Sequence, residues 1–168
     1  MRLTLKRLIA YWLDFVILTS VLGGGQWLLN NITNGFPFTY LDTGYKIEVW
    51  VLLTMSLPVW LYFILLESKK GQTLGKKFLN IKVVNKERQN IKTTQAIART
   101  LVRLFPWELT HIIILIPKPW WTLTPESTYL IYIPNALILI YVGYLFYKRG
   151  NKAIHDNYAK TEVIELTP

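Results

Sequence analysis

Apolar residues in this chain are not spread at amphipathic spacing but gathered into four runs: Leu8–Leu29, Val49–Leu66, Leu104–Ile116 and Tyr129–Tyr147. A bilayer-crossing helix needs about 20 largely apolar residues, and the first, second and fourth runs come close enough to qualify. The third is short and carries Glu108 and His111. It reaches spanning length, at about 98–117, only if the helix begins near Thr94 and carries Arg99 and Arg103 in its first turns. The expected fold is therefore an all-α membrane protein, a single domain over 1–168 with about four transmembrane helices (8–29, 49–66, 98–117 and 129–147), the third short or re-entrant. Tryptophan and tyrosine, 7 and 10 in number, gather at the ends of the runs, as interfacial aromatics do.

Charge sets the orientation. Of 19 Lys and Arg residues, all but Lys46 and Lys118 fall before the first run, between the second and third, or after the fourth. With four crossings those segments share one side, which the positive-inside rule makes cytoplasmic. The expected location is the cell membrane with both termini cytoplasmic, a cytoplasmic loop at 67–97 and a cytoplasmic tail at 148–168. The net charge of +9 is thus explained by topology, and nucleic acid is not an expected partner. A cleaved signal peptide is the rival reading of the first run, with Gly23-Gly24-Gly25 as a small-residue site. Asp14 inside the would-be apolar core and the continuation Trp27–Leu29 argue against it.

Asn30–Tyr45 reads as a polar external loop. In the cytoplasmic loop, Lys77-Phe-Leu-Asn-Ile-Lys-Val-Val alternates loosely at period two. Asn85–Asn90 offers a turn and Ile91 opens a second short run, which predicts a small β-hairpin. From Thr93 or Thr94, the apolar residues Ala96, Ile97, Leu101, Val102 and Leu104 predict an amphipathic helix capped by Thr94. The chain has no cysteine, so disulfides and thiolate chemistry are excluded.

The residues able to carry chemistry are few. Asp14 lies inside an apolar run, roughly 10 Å beyond Arg7 on nearly the same helix face. An ionisable group at such depth marks a functional site, here either an ion-coupling carboxylate or a structural ion pair with Arg7. Glu108 and His111 share a helix face at the spacing of helical di-metal sites, but the further acids and second motif copy are missing, so no metal is expected. A polar seam, extending to Asp14, is the alternative. Gly71-Gln-Thr-Leu-Gly-Lys-Lys lacks full P-loop spacing. Its lysines, with Lys69 and Lys70, are expected at anionic lipid headgroups: Lys69, Lys70, Lys76 and Lys77. Asp156 is expected to tie the tail to Arg99 or Arg103 through a bidentate pair, closing a cytoplasmic layer.

Four blocks taken together, Arg7-Leu-Ile-Ala-Tyr-Trp-Leu-Asp14, Gly71-Gln-Thr-Leu-Gly-Lys-Lys77 with Ile81-Lys-Val-Val84, Ala96-Ile-Ala-Arg99 and His155-Asp156-Asn-Tyr-Ala-Lys-Thr161, resemble the RDD membrane-protein family. The arginine and two aspartates that name it match Arg7, Asp14 and Asp156. The resemblance implies a small multi-pass membrane protein, mostly bacterial, with a transport role and cation/proton antiport among its suggested activities. Two readings stay open. The chain is a transporter of small cations coupled to protons, for which a homo-oligomer would have to build the pathway, or a non-catalytic scaffold or accessory subunit binding lipid headgroups or a partner protein. An enzyme is not expected, since no nucleophile, metal set or paired catalytic groups share a layer, and no cofactor is implied. The bilayer and its anionic headgroups are the expected partners.

Overall fold

The first helix, α1 (Arg2–Ile32), runs unbroken through the three glycines. The chain is described here by a computed structural model covering residues 2–116, 118–119 and 129–166. The buried positions of α1 are Thr4, Arg7, Ala10 and Asp14, a stripe at three- and four-residue spacing. Around the rest of the helix Trp12, Val21 and Trp27 are 61%, 66% and 68% exposed. Polar side chains inside and large apolar ones outside reverse the pattern of a helix in water and suit a hydrocarbon surround.

The second span joins α2 (Gly44–Val51), a π turn (Leu52–Ser56) and α3 (Leu57–Lys70). Pro58 has no N–H to give to Thr54, and the wider π ladder stands across that turn. α5 (Thr93–Leu115) has a proline of its own, Pro106. The Val102 carbonyl that Pro106 cannot serve accepts a 2.8 Å hydrogen bond from the Tyr141 hydroxyl of α6 (Tyr132–Tyr147). Among the described residues, three segments are long and apolar enough to cross a membrane: Arg2–Ile32, Gly44–Lys70 and Tyr129–Tyr147. α5, bearing Arg99, Arg103, Glu108 and His111, is not among them, and residue 117, the expected end of the third run, lies outside the described residues.

The expected β-hairpin is corrected. β1 (Ile81–Asn85) pairs antiparallel with β2 (Thr161–Glu165) of the tail, Val83 opposite Val163. The turn after β1 does form, with Asn85 accepting from the Gln89 amide. But α5 begins at Thr93, so the run opened by Ile91 is too short for a strand, and Ile91 packs into the core instead. The α5 cap also differs. Lys92 holds the N-cap position, and the Gln95 side chain accepts from its amide at 3.0 Å.

Ala10, Ile81, Val83, Ile91, Ala96 and Val163 form a small apolar core that unites α1, the two-stranded sheet and α5. Two glycines let backbones touch around it. A Cβ on Gly75, in the short helix α4 (Leu74–Phe78), would lie 2.1 Å from the Ala10 carbonyl oxygen. One on Gly150, at φ +83°, would lie 2.5 Å from the Thr4 nitrogen. With α7 (Ile154–Ala159) and a Lys6–Glu165 ion pair at 3.2 Å, these contacts gather the start of α1, the central loop and the tail into one layer.

Candidate functional site: a buried arginine–carboxylate layer

Arg7 reaches this layer from the first turns of α1, but it does not pair with Asp14. Its Nη2 donates to Asp156 Oδ2 at 2.6 Å and its Nη1 to the Gly150 carbonyl at 2.9 Å. Arg7 and Asp14 share the buried stripe, but different elements meet it: the tail covers Arg7, and α4 covers Asp14. The Arg7–Asp14 ion pair is therefore corrected. Asp14 accepts from Tyr62 Oη at 2.6 Å, Thr73 Oγ1 at 2.5 Å and the Gly75 amide at 2.8 Å. Thr73 caps α4, so this carboxylate fastens a helix start to α1, where positive partial charge gathers.

Asp156 is gripped from two sides. Arg99 Nη1 donates to its Oδ1 and also to Thr161 Oγ1. The Ala153 amide donates to its Oδ2 at 2.6 Å. Burial alone would push this carboxyl up, but Arg99 and Arg7 outweigh it and hold the group well below the usual carboxylate range. Arg99 is fully buried and also donates through Nε to Glu67 Oε2 at 3.0 Å. Glu67 Oε1 accepts from Arg103 Nη1 at 2.7 Å and Lys76 Nζ at 2.9 Å. Arg103 also stacks 3.9 Å over the Phe63 ring. Lys76 is thus a network member and not a headgroup lysine. Burial pulls its ammonium below the ordinary lysine range, with Glu67 opposing. Lys69, Lys70 and Lys77 stay exposed. His155 has Arg7 Nη2 3.4 Å from its Nε2, and burial holds its imidazole well below the ordinary histidine range, hence neutral.

Glu108 and His111 form a second cluster away from this layer. Ser56 Oγ and Trp60 Nε1 donate to Glu108 at 3.0 and 2.7 Å. His111 Nδ1 lies 3.1 Å from Glu48 Oε2, and its Nε2 lies 3.2 Å from Glu108 Oε2 without a hydrogen bond forming there. The seam thus includes Glu48 and the π turn, and no contact joins it to Asp14 among the described residues. Because the imidazole turns one nitrogen to each acid, the three groups line up instead of converging, and no group able to hold a metal occurs among the described residues. Glu67 and Glu48 are the residues that sequence reasoning missed. An acid closing an apolar run just before Lys69-Lys70 is a signal for Glu67; Glu48, near the start of its run, had none beyond its depth.

Apolar-out helices, three of spanning character, closed at one end by buried arginines and carboxylates, define an α-helical multi-pass membrane protein. The chain matches the family model described as the RDD family over residues 2–160 and belongs to that family. No curated protein matches, and no solved structure does.

Proposed function

We propose that this chain is a proton-coupled transporter of small cations in the cell membrane, crossing it four times with both termini cytoplasmic. Two contacts support four crossings. α5 starts in the layer that holds both ends of the chain, yet His111 near its far end meets Glu48, which lies in the first turns of the second span at the opposite end from that layer. The lysines and arginines of the layer support its facing the cytoplasm.

The observation that carries the transport reading is His111 held between Glu48 and Glu108 within the apolar region. Ser56, a partner of Glu108, lies about 18 Å along the helix from Gly44, near the middle of that span. Carboxylates flanking an imidazole at that depth can trade a proton for a cation, since each ionised form must be compensated locally. Asp14, with three donors fixed on it, serves structure instead. The test uses proteoliposomes with an internal pH dye under Na⁺, K⁺ and Li⁺ gradients. Cation-driven proton movement is expected in the native protein and in Asp14→Asn vesicles where that variant inserts, and is lost in Glu108→Gln and His111→Gln. Native flux no greater than that of empty vesicles refutes the reading. That result would favour a membrane scaffold docking on anionic headgroups, the reading supported by exposed Lys69, Lys70 and Lys77.

A further inference from the structure

A cavity of about 340 Å³ lies between α1, α3, α5 and α6, at the small end of the range for ligand sites. Most of its wall is apolar, including Leu18, Val59 and Val142. Tyr11, Phe15, Trp107 and Ile138 line it and are also exposed on the outer surface, so it opens sideways towards the bilayer. Its other end is cationic, lined by Arg7, Lys76, Arg99 and Arg103 together with the neutral imidazole of His155.

That end has surplus donors and surplus charge. Arg99 Nη2, Arg103 Nε and His155 Nδ1 are buried and have no acceptor among the described residues. His155 Nε2 faces the donor-only guanidinium of Arg7, so the neutral ring carries its proton on Nδ1. The four cations Arg7, Lys76, Arg99 and Arg103 are opposed by the three acids Glu67, Asp156 and Asp14, which leaves one positive charge uncompensated among the described residues. Buried unpaired donors and a buried unpaired charge are both costly. One monoanion with several oxygens answers both deficits, and the apolar wall behind it suits a hydrocarbon chain.

We propose that this cavity is a binding site for an anionic phospholipid, with one acyl chain along the apolar wall and its phosphodiester at Arg99, Arg103 and His155. A phosphodiester carries a single charge, matching the surplus, and offers more acceptor oxygens than a fatty-acid carboxylate. A zwitterionic phospholipid would bring a cationic headgroup to a site already rich in cations. The site is separate from the exposed lysines and does not depend on proton exchange.

Native mass spectrometry of the purified full chain, delipidated and then offered phosphatidylglycerol, phosphatidylcholine, oleate or inorganic phosphate at equal concentration, tests it. One phosphatidylglycerol is expected per chain, with at least tenfold weaker retention of the other three. Arg103→Gln is expected to weaken phosphatidylglycerol retention about tenfold. Val142→Trp, which fills the cavity without touching the charges, keeps the test intact if the arginine variant fails to fold, and should abolish the adduct. Equal retention of the two phospholipids, preference for oleate, phosphate held as well as the lipid, or an adduct that survives Val142→Trp would each overturn the proposal.

Discussion

Glu67→Gln removes one charge from the network with almost no change in volume, which makes it the cleanest probe of what the layer contributes. The carboxylate meets Arg99 at 3.0 Å, Arg103 at 2.7 Å and Lys76 at 2.9 Å, with all four side chains at most 9% exposed. At such separations solvent screening is weak. Removing one partner of a buried pair destabilises by about 3–5 kcal/mol, because the other charge is left uncompensated. Here one acid serves three cations, and the amide turns an NH2 group towards at least one of them, so the upper end of that range is expected. The half-exposed Lys6–Glu165 pair sets the contrast, since Lys6→Ala should cost only about 0.2–1 kcal/mol. Unfolding of the purified protein in mixed micelles at rising SDS fraction, followed by tryptophan fluorescence, measures both. The double variant Glu67→Gln/Arg103→Gln removes a cation along with the acid, so it should cost less than the two single changes together by about 0.5–3 kcal/mol. A Glu67→Gln protein within about 0.5 kcal/mol of the native one, or strict additivity in the double variant, would refute the reasoning.

Two further expectations come from the same layer. His155 is buried and neutral with its pKa depressed, so below the unfolded value of about 6.5 the unfolded chain binds the extra proton and stability falls with pH. From pH 7.5 to 5.5 this amounts to about 1.4 kcal/mol, and an unfolding series in His155→Gln should lack that component; an unchanged pH slope would disprove it. Gly75→Ala would set a methyl 2.1 Å from the Ala10 carbonyl oxygen and should cost about 1–3 kcal/mol in the same micelle assay, whereas Gly24→Ala, with open space around it, should leave stability unchanged.

The parts of this fold that were legible in the sequence depend on local composition or on a charge needing an opposite. The three apolar spans are read from run length alone, and the closeness of Arg99 to Asp156 is read from the readiness of a carboxylate and a guanidinium to pair. What escaped depends on which distant segment covers a given face. The spacing of Arg7 and Asp14 on α1 is compatible with a pair, but the tail reaches one and α4 the other, and nothing local encodes that division. The strand at Ile81–Asn85 was legible, and its partner eighty residues away was not, because a β ladder's pairing is set by tertiary packing. Lys76 looks like its exposed neighbour Lys77 in composition. Only the turn of α4 sends one to Glu67 and the other to the surface.

Magnitudes favour Glu108 over the layer as the place for the proposed ion exchange. Freeing Asp156 or Glu67 for a passing cation means separating buried charge pairs, at about 3–5 kcal/mol for each partner removed. An exchange site has to empty and refill repeatedly, and a site so strongly held would stay shut. Glu108 is held by a hydroxyl and an indole, contacts to a charged group worth about 1.5–3 kcal/mol each, and lies 3.2 Å from the His111 imidazole. Histidine is also the side chain whose ordinary titration range falls nearest neutrality, so a proton can arrive or leave there at modest free-energy cost. Under the proposed function the layer is therefore the fixed end of α5, and the Glu48–His111–Glu108 line is the end at which a proton and a cation would compete.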